Sequence, residues 1–316
     1  MNTIVRPSWW SKSAAAISRA YSSDLFWSFR KTKPAVLAAI TIIVFFLVAL
    51  LAPWIAPQNP FDPSSFSLLN SELPPAWLTG GDAHFLLGTD VQGRDIISTI
   101  LYGLQISLLV GFGSVLLSTV LGVTLGLAAG YAGKWVDTLV MRVADIQLSF
   151  PAILVALLVN GIARTALPRE LFNSVALPIL IFSIGISNWV QYARTIRSQV
   201  MVEKGKEYVQ AANILGRSPL FIATRHILPN TTGPITVLAA INLALAMLTE
   251  ATLSFLGVGM PPTKPSLGTL VRLGNEYMLS GEWWIVIFPS AALVVLVLAI
   301  NVFGDWLRDA LNPRLR

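Results

Sequence analysis

The chain has 316 residues, of which 54% are hydrophobic and only 12% are charged. A soluble domain carries about 25% charged residues, so this composition predicts one large membrane domain. The absence of cysteine excludes disulfides, thiolate zinc sites and cysteine nucleophiles. The net charge of +6 does not indicate nucleic acid as a partner, because the lysines and arginines follow the ends of apolar runs, as membrane sidedness requires.

Residues 1–34 are predicted to be a cytoplasmic segment. They are not a cleavable signal, because the apolar run begins only at Ala35 and is too long for one. Apolar and aromatic residues at helical spacing predict an interfacial helix, with a disordered tail as the alternative for the first few residues. The first span is predicted over 35–52, and a Pro-rich external segment completes the unit 35–100. The residues of the interfacial helix are Trp10, Ala14, Ile17 and Tyr21.

The external segment contains HFLLGTDVQGRD, from His84 to Asp95. Its glycines permit tight turns and Asp95 can cap the following helix, which favours a structural elbow over direct contact with a substrate. The stretch resembles the Gly-Thr-Asp-x-x-Gly-Arg-Asp signature of dipeptide/oligopeptide permeases, a branch of the ABC importers. Gln105 departs from the arginine expected of that branch further on. The signature residues are Gly88, Thr89, Asp90, Gly93, Arg94 and Asp95.

The second and third spans are predicted over 105–131 and 136–162, the third with a kink at Pro151. Asp145 lies near the cytoplasmic end of the third span, where a local pair with Arg142 and a gating role are both open. Small residues four apart on the second span predict a face that packs closely against another helix. They are Ser114, Ser118, Gly122, Gly126 and Gly130.

The fourth span is predicted over 175–192 and carries a polar stripe on one helical face. Such a stripe predicts the lining of a transport pathway. Serine can also return its hydroxyl to its own helix, so both interpretations remain open. The stripe consists of Ser183, Ser187, Gln191, Arg194 and Ser198.

The stretch between the fourth and fifth spans is polar and basic, which predicts a cytoplasmic loop. Residues 203–215 are predicted to form one short helix, ended by Gly216 in a left-handed conformation. Ser218 can cap a second short helix with Pro219 in its first turn, and Pro229 is predicted to stop it. An ordered loop without further role is the alternative.

The same loop contains Gln210-Ala211-Ala212, then Gly216, then nine residues, then His226-Ile227-Leu228-Pro229. This resembles the Glu-Ala-Ala loop of ABC importer permeases, whose coupling helix docks in a cleft of the ATPase subunit. Gln210 departs from the family's glutamate, and Glu207 on the same helical face can supply the charge instead. The resemblance implies a set of coupling residues: Glu207, Gln210, Ala211, Ala212, Gly216, His226, Leu228 and Pro229.

The fifth and sixth spans are predicted over 234–257 and 285–303. Glu250 shares a face of the fifth span with Asn242, and a buried glutamate hydrogen-bonded across helices is favoured over a pathway role. The stretch EATLSFLG and the tail GDWLRDALNPRLR also resemble segments of the dipeptide/oligopeptide permeases. The candidate pathway-lining residues are Asp145, Ser183, Ser187, Gln191, Asn242 and Glu250.

The distribution of basic residues predicts the topology. Seventeen of the 22 lysines and arginines fall in predicted cytoplasmic pieces, so both termini are expected in the cytoplasm and six spans are expected. There is no Walker-type phosphate loop and no His-Glu-x-x-His, and the two histidines lie far apart. The sequence therefore predicts no catalytic residue, no metal site and no cofactor, and any ATP must be bound by another chain.

The chain is identified from these motifs as a member of the ABC importer permeases of the dipeptide/oligopeptide type. The resemblance implies an all-α membrane protein with the type I (MetI-like) permease fold, a core over 101–304 that contains the coupling loop 203–229, and a cytoplasmic tail over 305–316. It implies a bacterial inner membrane, a second similar permease subunit, two ATPase subunits and a periplasmic solute-binding protein. The solute stays open among peptides, nickel, glutathione and others. The alternative is a self-sufficient secondary transporter or channel, with Glu250 or Asp145 coupling an ion.

Overall fold

The computed structural model describes residues 24–311, so the predicted interfacial helix and the end of the tail lie outside the described residues. Between residues 24 and 311 the chain forms α-helices and loops without any β-strand, as predicted. The α-helices are α1 (Asp24–Lys31), α2 (Lys33–Leu50), α3 (Ala52–Ile55), α4 (Ile96–Ala132), α5 (Lys134–Leu148), α6 (Ala152–Ala166), α7 (Arg169–Lys204), α8 (Glu207–Ile214), α9 (Pro219–Ile222), α10 (Thr232–Phe255), α11 (Leu267–Tyr277) and α12 (Trp284–Ala310).

Five helical segments are long and apolar enough to cross a membrane, and α5 with α6 make a sixth if that bent pair is one span. The count agrees with the prediction of about six. The predicted kink in the third span was too mild, because α5 and α6 meet at 90°. Pro151 has an extended backbone and lacks the N–H that would continue the helix, so the chain breaks at 149–151.

Helix α7 is longer than the predicted fourth span and corrects the prediction for the loop. Its 36 residues extend to Lys204, and at about 1.5 Å per residue they exceed the hydrocarbon thickness of roughly 30 Å. Glu203 therefore belongs to the last turn of α7, and the short helix α8 begins only at Glu207. A helix placed over 203–215 was wrong, because the chain turns at Gly205 between the two helices.

The small-residue stripe on α4 packs against α7, as predicted. A Cβ placed on Gly126 would lie 2.5 Å from the carbonyl oxygen of Ala193. A Cβ on Gly130 would lie 2.8 Å from the Cβ of Val200. Ser118 on the same face donates a hydrogen bond to the carbonyl of Gly185 at 2.9 Å. The two backbones can approach this closely only because the stripe lacks bulky side chains.

Two apolar clusters hold the remaining helices around this pair. One joins α2, α4, α10, α11 and α12, and the other joins α4, α6, α7 and α10. Helices α4 and α10 contribute to both clusters, so these two helices connect the halves of the described fold. Representative buried residues are Leu104, Leu108, Met247, Leu267 and Leu296 in the first cluster and Val110, Ala156, Leu180, Ala246 and Leu253 in the second.

Candidate functional site

The loop between α7 and α10 turns on Gly216. Its φ of +69° is left-handed, a conformation that glycine adopts without strain. The N–H of Arg217 donates to the carbonyl of Ala212 at 3.2 Å, and the N–H of Gly216 donates to the carbonyl of Asn213 at 3.0 Å. This pair of bonds is a Schellman motif that satisfies the last carbonyls of α8. The predicted helix end is confirmed.

The second arm of the loop begins as predicted but does not stop where predicted. The Ser218 hydroxyl accepts the N–H of Phe221 at 3.3 Å, and Pro219 occupies the first turn of α9. The chain then continues as a π-helix over Ala223–Ile227 and a 3₁₀-helix over Leu228–Thr231, directly into α10. Pro229 lies in the first turn of the 3₁₀ segment, where its missing N–H costs nothing, so it changes the helix type without ending the helix.

The predicted coupling residues divide between the interior and the surface. Ala212 is buried in a cluster with Ile196, Val200 and Ile222, so it anchors α8 on the inner end of α7. Ala211 and Glu207 are exposed on the other side of α8. Gln210 is also exposed, and its side-chain amide donates to the carbonyl of Gly205 at 3.2 Å. Gly216 and Pro229 are exposed, while His226 and Leu228 are half-buried.

Three large apolar side chains at the Gly216 turn, here called the apolar tip, are highly exposed, and sequence reasoning missed them. Ile214 is 86% exposed, Leu215 is 78% exposed and Leu220 is 73% exposed. These residues flank the Gly216 turn, while the buried positions of the same arms face α7. Apolar side chains on both sides of a polar glycine turn were a signal that could have indicated a contact surface.

A polar cluster joins both arms of the loop to the end of α7. The buried Glu203 carboxylate accepts a hydrogen bond from Tyr208 and one from Lys206 Nζ at 2.5 Å. Asn230 Nδ2 donates to the Tyr208 hydroxyl and to the carbonyl of His226, both at 2.9 Å. The bond to Glu203 raises the pKa of Lys206, while burial and the same carboxylate raise the pKa of Tyr208. The cluster fixes the direction in which the loop leaves α7.

The signature predicted to be external forms a buried ion pair. Arg94 Nη2 lies 2.6 Å from Asp90 Oδ2, and both side chains are almost fully buried. Arg94 Nη1 also donates to the carbonyl of Pro262 at 3.2 Å, in the loop that follows α10. Gly88, before the pair, and Gly93, between its two members, take φ values of +85° and +76°. The tight turns predicted at these glycines are present, and a structural elbow remains the favoured interpretation of this part of the signature.

The rest of the signature connects the elbow to two spans. Asp95 caps α4, since its Oδ2 accepts the N–H and the hydroxyl of Ser98, each at 2.7 Å. The carbonyl of Thr89 accepts the indole N–H of Trp284 in α12 at 3.1 Å. Gln105, where the resemblance implies an arginine, lines a mostly apolar groove between α2 and α4.

Glu250 is completely buried at the junction of three helices, which agrees with the favoured structural interpretation. Its carboxylate accepts the hydroxyl of Ser107 in α4 at 2.9 Å and that of Ser254 in α10 at 2.7 Å. Ser266, the N-cap of α11, donates to Ser254 at 3.2 Å. Among residues 24–311 no ion pair involves Glu250, and no group of three or more histidines or carboxylates could hold a metal ion.

The candidate pathway-lining residues separate by exposure. Ser183 and Ser187 are buried and return their hydroxyls to carbonyls one turn earlier in α7, each at 2.7 Å. Asn242 and Glu250 are also buried. Only Gln191 and Asp145 reach the surface of the single chain.

Asp145 does not pair locally. Its carboxylate lies 2.6 Å from Arg194 Nη2 in α7. It forms no pair with Arg142, which lies one turn away in α5. The local pair, one of the two open alternatives, is therefore not formed, and the reason is tertiary. Helix α7 passes beside α5 and offers a guanidinium that a single-helix argument does not include.

Comparison of the sequence with known proteins identifies the family to which the chain belongs. Residues 122–316 match the family described as binding-protein-dependent transport system inner membrane component, and residues 21–75 match the N-terminal transmembrane domain of oligopeptide transport permease C. The di/tripeptide transport system permease protein DppC of Pseudomonas aeruginosa is 38% identical over 302 residues, which is 95% of each chain.

Two further relatives carry similar names. The dipeptide transport system permease proteins DppC of Haemophilus influenzae and Escherichia coli K12 are each 39% identical, over 92% of this chain and 94% and 93% of their own lengths. The likeness therefore extends across nearly the whole chain and includes both the elbow and the loop. The chain belongs to the binding-protein-dependent transport system inner membrane components, and it is a multi-pass permease subunit of an ABC importer.

Proposed function

We propose that this chain forms half of the translocation pathway of an ATP-driven importer for dipeptides or oligopeptides. The proposal for the solute rests on relatives named as di/tripeptide or dipeptide permeases that match about nine-tenths or more of the chain. Binding of a dipeptide library, nickel and glutathione to the cognate solute-binding protein tests it. Binding of nickel or glutathione with no peptide binding would reject the peptide assignment.

The coupling loop 203–229 is proposed to dock on an ATPase subunit. The observation that carries this proposal is the apolar tip of Ile214, Leu215 and Leu220, which projects from an arm anchored on α7. An exposed apolar patch on an otherwise basic loop fits a protein cleft better than water. Ala211 and Gly216 are exposed next to the tip, and their lack of bulky side chains allows a partner surface to approach closely. Glu207 offers an exposed carboxylate at the other end of α8, in place of the glutamate that Gln210 replaces.

A variant of the tip tests the docking. Leu215→Asp places a charge where the proposed cleft is apolar, so the ATPase subunits should no longer co-purify and ATP-dependent uptake in vesicles should stop. Leu279→Asp is the matched control, because Leu279 is 99% exposed on the external turn after α11. Retained ATPase subunits and full uptake in Leu215→Asp would contradict the proposed docking surface.

The remaining partners follow from the same assignment. We expect a second similar permease subunit, two ATPase subunits that bind the ATP, and a periplasmic solute-binding protein, in a bacterial inner membrane with both termini cytoplasmic. The chain itself is proposed to need no cofactor and to carry no ATPase site. A self-sufficient secondary transporter is not favoured, because the Glu250 carboxylate is buried and hydrogen-bonded by serine hydroxyls, which leaves it no open path for a coupling ion. The family is also one of binding-protein-dependent transport components, which work with partner subunits.

Asp145 and Gln191 are the proposed pathway-facing residues of this chain. Both are exposed on helices that also carry large exposed apolar side chains, such as Leu139 and Phe182. A charged or amide side chain in a span is stable only against water or another protein chain, so this face is directed to the pathway or to the second permease.

A further inference from the structure

A row of polar contacts fastens α5 to the inner half of α7. The two helices run antiparallel, so positions that rise along α5 meet positions that fall along α7. The contacts extend from Asp137 to Gln147 of α5, a rise of about 15 Å. The partners on α5 are Asp137, Asp145 and Gln147, and those on α7 are Arg197, Arg194, Trp189 and Ile186.

Gln147 makes the most demanding of these contacts. Its Nε2 donates to the carbonyl of Ile186 at 2.6 Å, and its Oε1 accepts the indole N–H of Trp189 at 2.7 Å. The amide can make both bonds at once because its nitrogen donates and its oxygen accepts. Trp189 is itself buried, and its carbonyl lies 2.6 Å from where a Cβ on Gly122 of α4 would stand. Gln147 therefore fixes α5 to the close α4–α7 contact.

Two ion pairs continue the row towards the coupling loop. Asp145 accepts from Arg194 Nη2 at 2.6 Å, and Asp137 accepts from Arg197 through both carboxylate oxygens, one of them 2.7 Å from Nη2. A bidentate arginine–carboxylate pair resists rotation of one helix against the other.

The inner end of α7 is joined in turn to the loop. Val200 packs with Val209 and Ala212 of α8 in one buried cluster. Glu203 bonds Tyr208, which in turn accepts a hydrogen bond from Asn230 at the far end of the loop. On the other side, α5 separates from α6 at the 90° break over 149–151. Helix α5 is therefore joined to the loop through α7, whereas the break after its last residue separates it from α6.

We propose that α5 moves as one rigid body with the inner half of α7 and the coupling loop, and that Gln147 is the positioning residue that keeps α5 in this unit. Displacement of the loop by the ATPase subunits would then be carried directly to α5 and to its exposed Asp145 at the mouth of the pathway. This inference rests on the proposed docking of the loop. It adds a transmission element outside the loop itself.

The absence of native cysteine makes the test direct. Spin labels can be attached in pairs to cysteines introduced at three exposed positions. These positions are Thr138 in α5, Met201 in α7 and Asn301 in α12. Electron paramagnetic resonance on the complete transporter would compare the nucleotide-free state with a non-hydrolysable ATP analogue. The 138–201 distance should stay constant while the 138–301 distance changes. A 138–201 distance that changes as much as 138–301, or a constant 138–301 distance, would overturn the proposal.

Variants of Gln147 sharpen the same measurement. Gln147→Leu should let the 138–201 distance change with nucleotide, and Gln147→Glu, which keeps an acceptor for Trp189, should have a smaller effect. In Gln147→Leu, ATP hydrolysis should become uncoupled from transport. The ATP hydrolysed per solute imported should rise about tenfold. Ile146→Ala is the matched control, since its side chain is 60% exposed on the same helix. An unchanged 138–201 distance in Gln147→Leu would reject the positioning role. The docking proposal is tested separately, by co-purification of the ATPase subunits with the natural chain. If they co-purify but the label distances fail the test, the α5 proposal alone is rejected.

Discussion

Gly126 of α4 lies directly against the backbone of Ala193 in α7. A Cβ on Gly126 would lie 2.5 Å from the Ala193 carbonyl oxygen and 2.9 Å from its Cα. Both obstacles are backbone atoms, which cannot rotate away as a side chain can. The two longest helices of the described chain are therefore held at a spacing that depends on the absence of one methyl group.

Gly126→Ala should lower the free energy of unfolding by about 1–3 kcal/mol, because the helices must separate to admit the methyl group. Gly126→Leu should prevent assembly of the spans. Thermal unfolding in detergent and the yield of folded protein measure both effects. Gly161→Ala in α6 is the matched control, since nothing lies within 4 Å of a Cβ there. Equal melting temperatures for the two alanine variants would show that the α4–α7 contact is not tight.

Substitutions at Gly216 should act through its backbone conformation and not through space. Its φ is +69° and a Cβ would meet nothing within 4 Å. A left-handed non-glycine residue costs about 1–2 kcal/mol, so Gly216→Val should misdirect the second arm and reduce ATP-dependent uptake. Gly216→Asn should retain uptake, because asparagine tolerates this conformation. Gly205→Ala, at a right-handed turn with φ of −79°, is the control expected to be silent. Full uptake by Gly216→Val would refute the argument.

Ala212→Trp should destabilise the loop from within. Ala212 is 6% exposed and packs with Val209 and Ile222, so an indole cannot fit there without separating α8 from α7. Limited proteolysis should cut the loop of this variant faster than that of the natural chain. Ala211→Trp, on the exposed side of α8, should leave protease resistance unchanged. Equal resistance of the two variants would contradict the burial of Ala212.

The Asp90–Arg94 pair should be essential to the external elbow. Removing one partner of a buried pair leaves an uncompensated charge, which costs about 3–5 kcal/mol, so Arg94→Gln should markedly lower the melting temperature. Arg308→Gln in α12 is the control, because its pairs with Asp305 and Asp309 are about half exposed at 3.4 Å and contribute about 0–1 kcal/mol. Similar melting temperatures for the two variants would show that the elbow does not depend on this pair.

The charge distribution makes a prediction about sidedness. A reporter fused after Arg316 should fluoresce as a cytoplasmic protein and should have no periplasmic phosphatase activity, because basic residues dominate the predicted cytoplasmic pieces. Activity restricted to the periplasm would require an odd number of crossings, with α5 and α6 forming a re-entrant pair instead of one span.

Much of the local structure was predictable because its causes are local. Asp95 and Ser218 cap helices, and Gly216 ends one, because each acts on backbone groups within three residues. The packing face around Gly126 was predictable for a related reason, since a four-residue spacing places small side chains on one side of any helix. The family motifs identified the class of transporter, because they lie at fixed spacings along the chain.

Tertiary structure decided which partners meet. Asp145 pairs with Arg194, 49 positions away, although Arg142 lies one turn from it. Ala212 faces inward and Leu215 outward because α7 extends past the membrane and gives α8 a surface to pack on. Neither periodicity nor spacing encodes the position of a second helix, so burial and ion pairing at these residues follow only from how the helices pack.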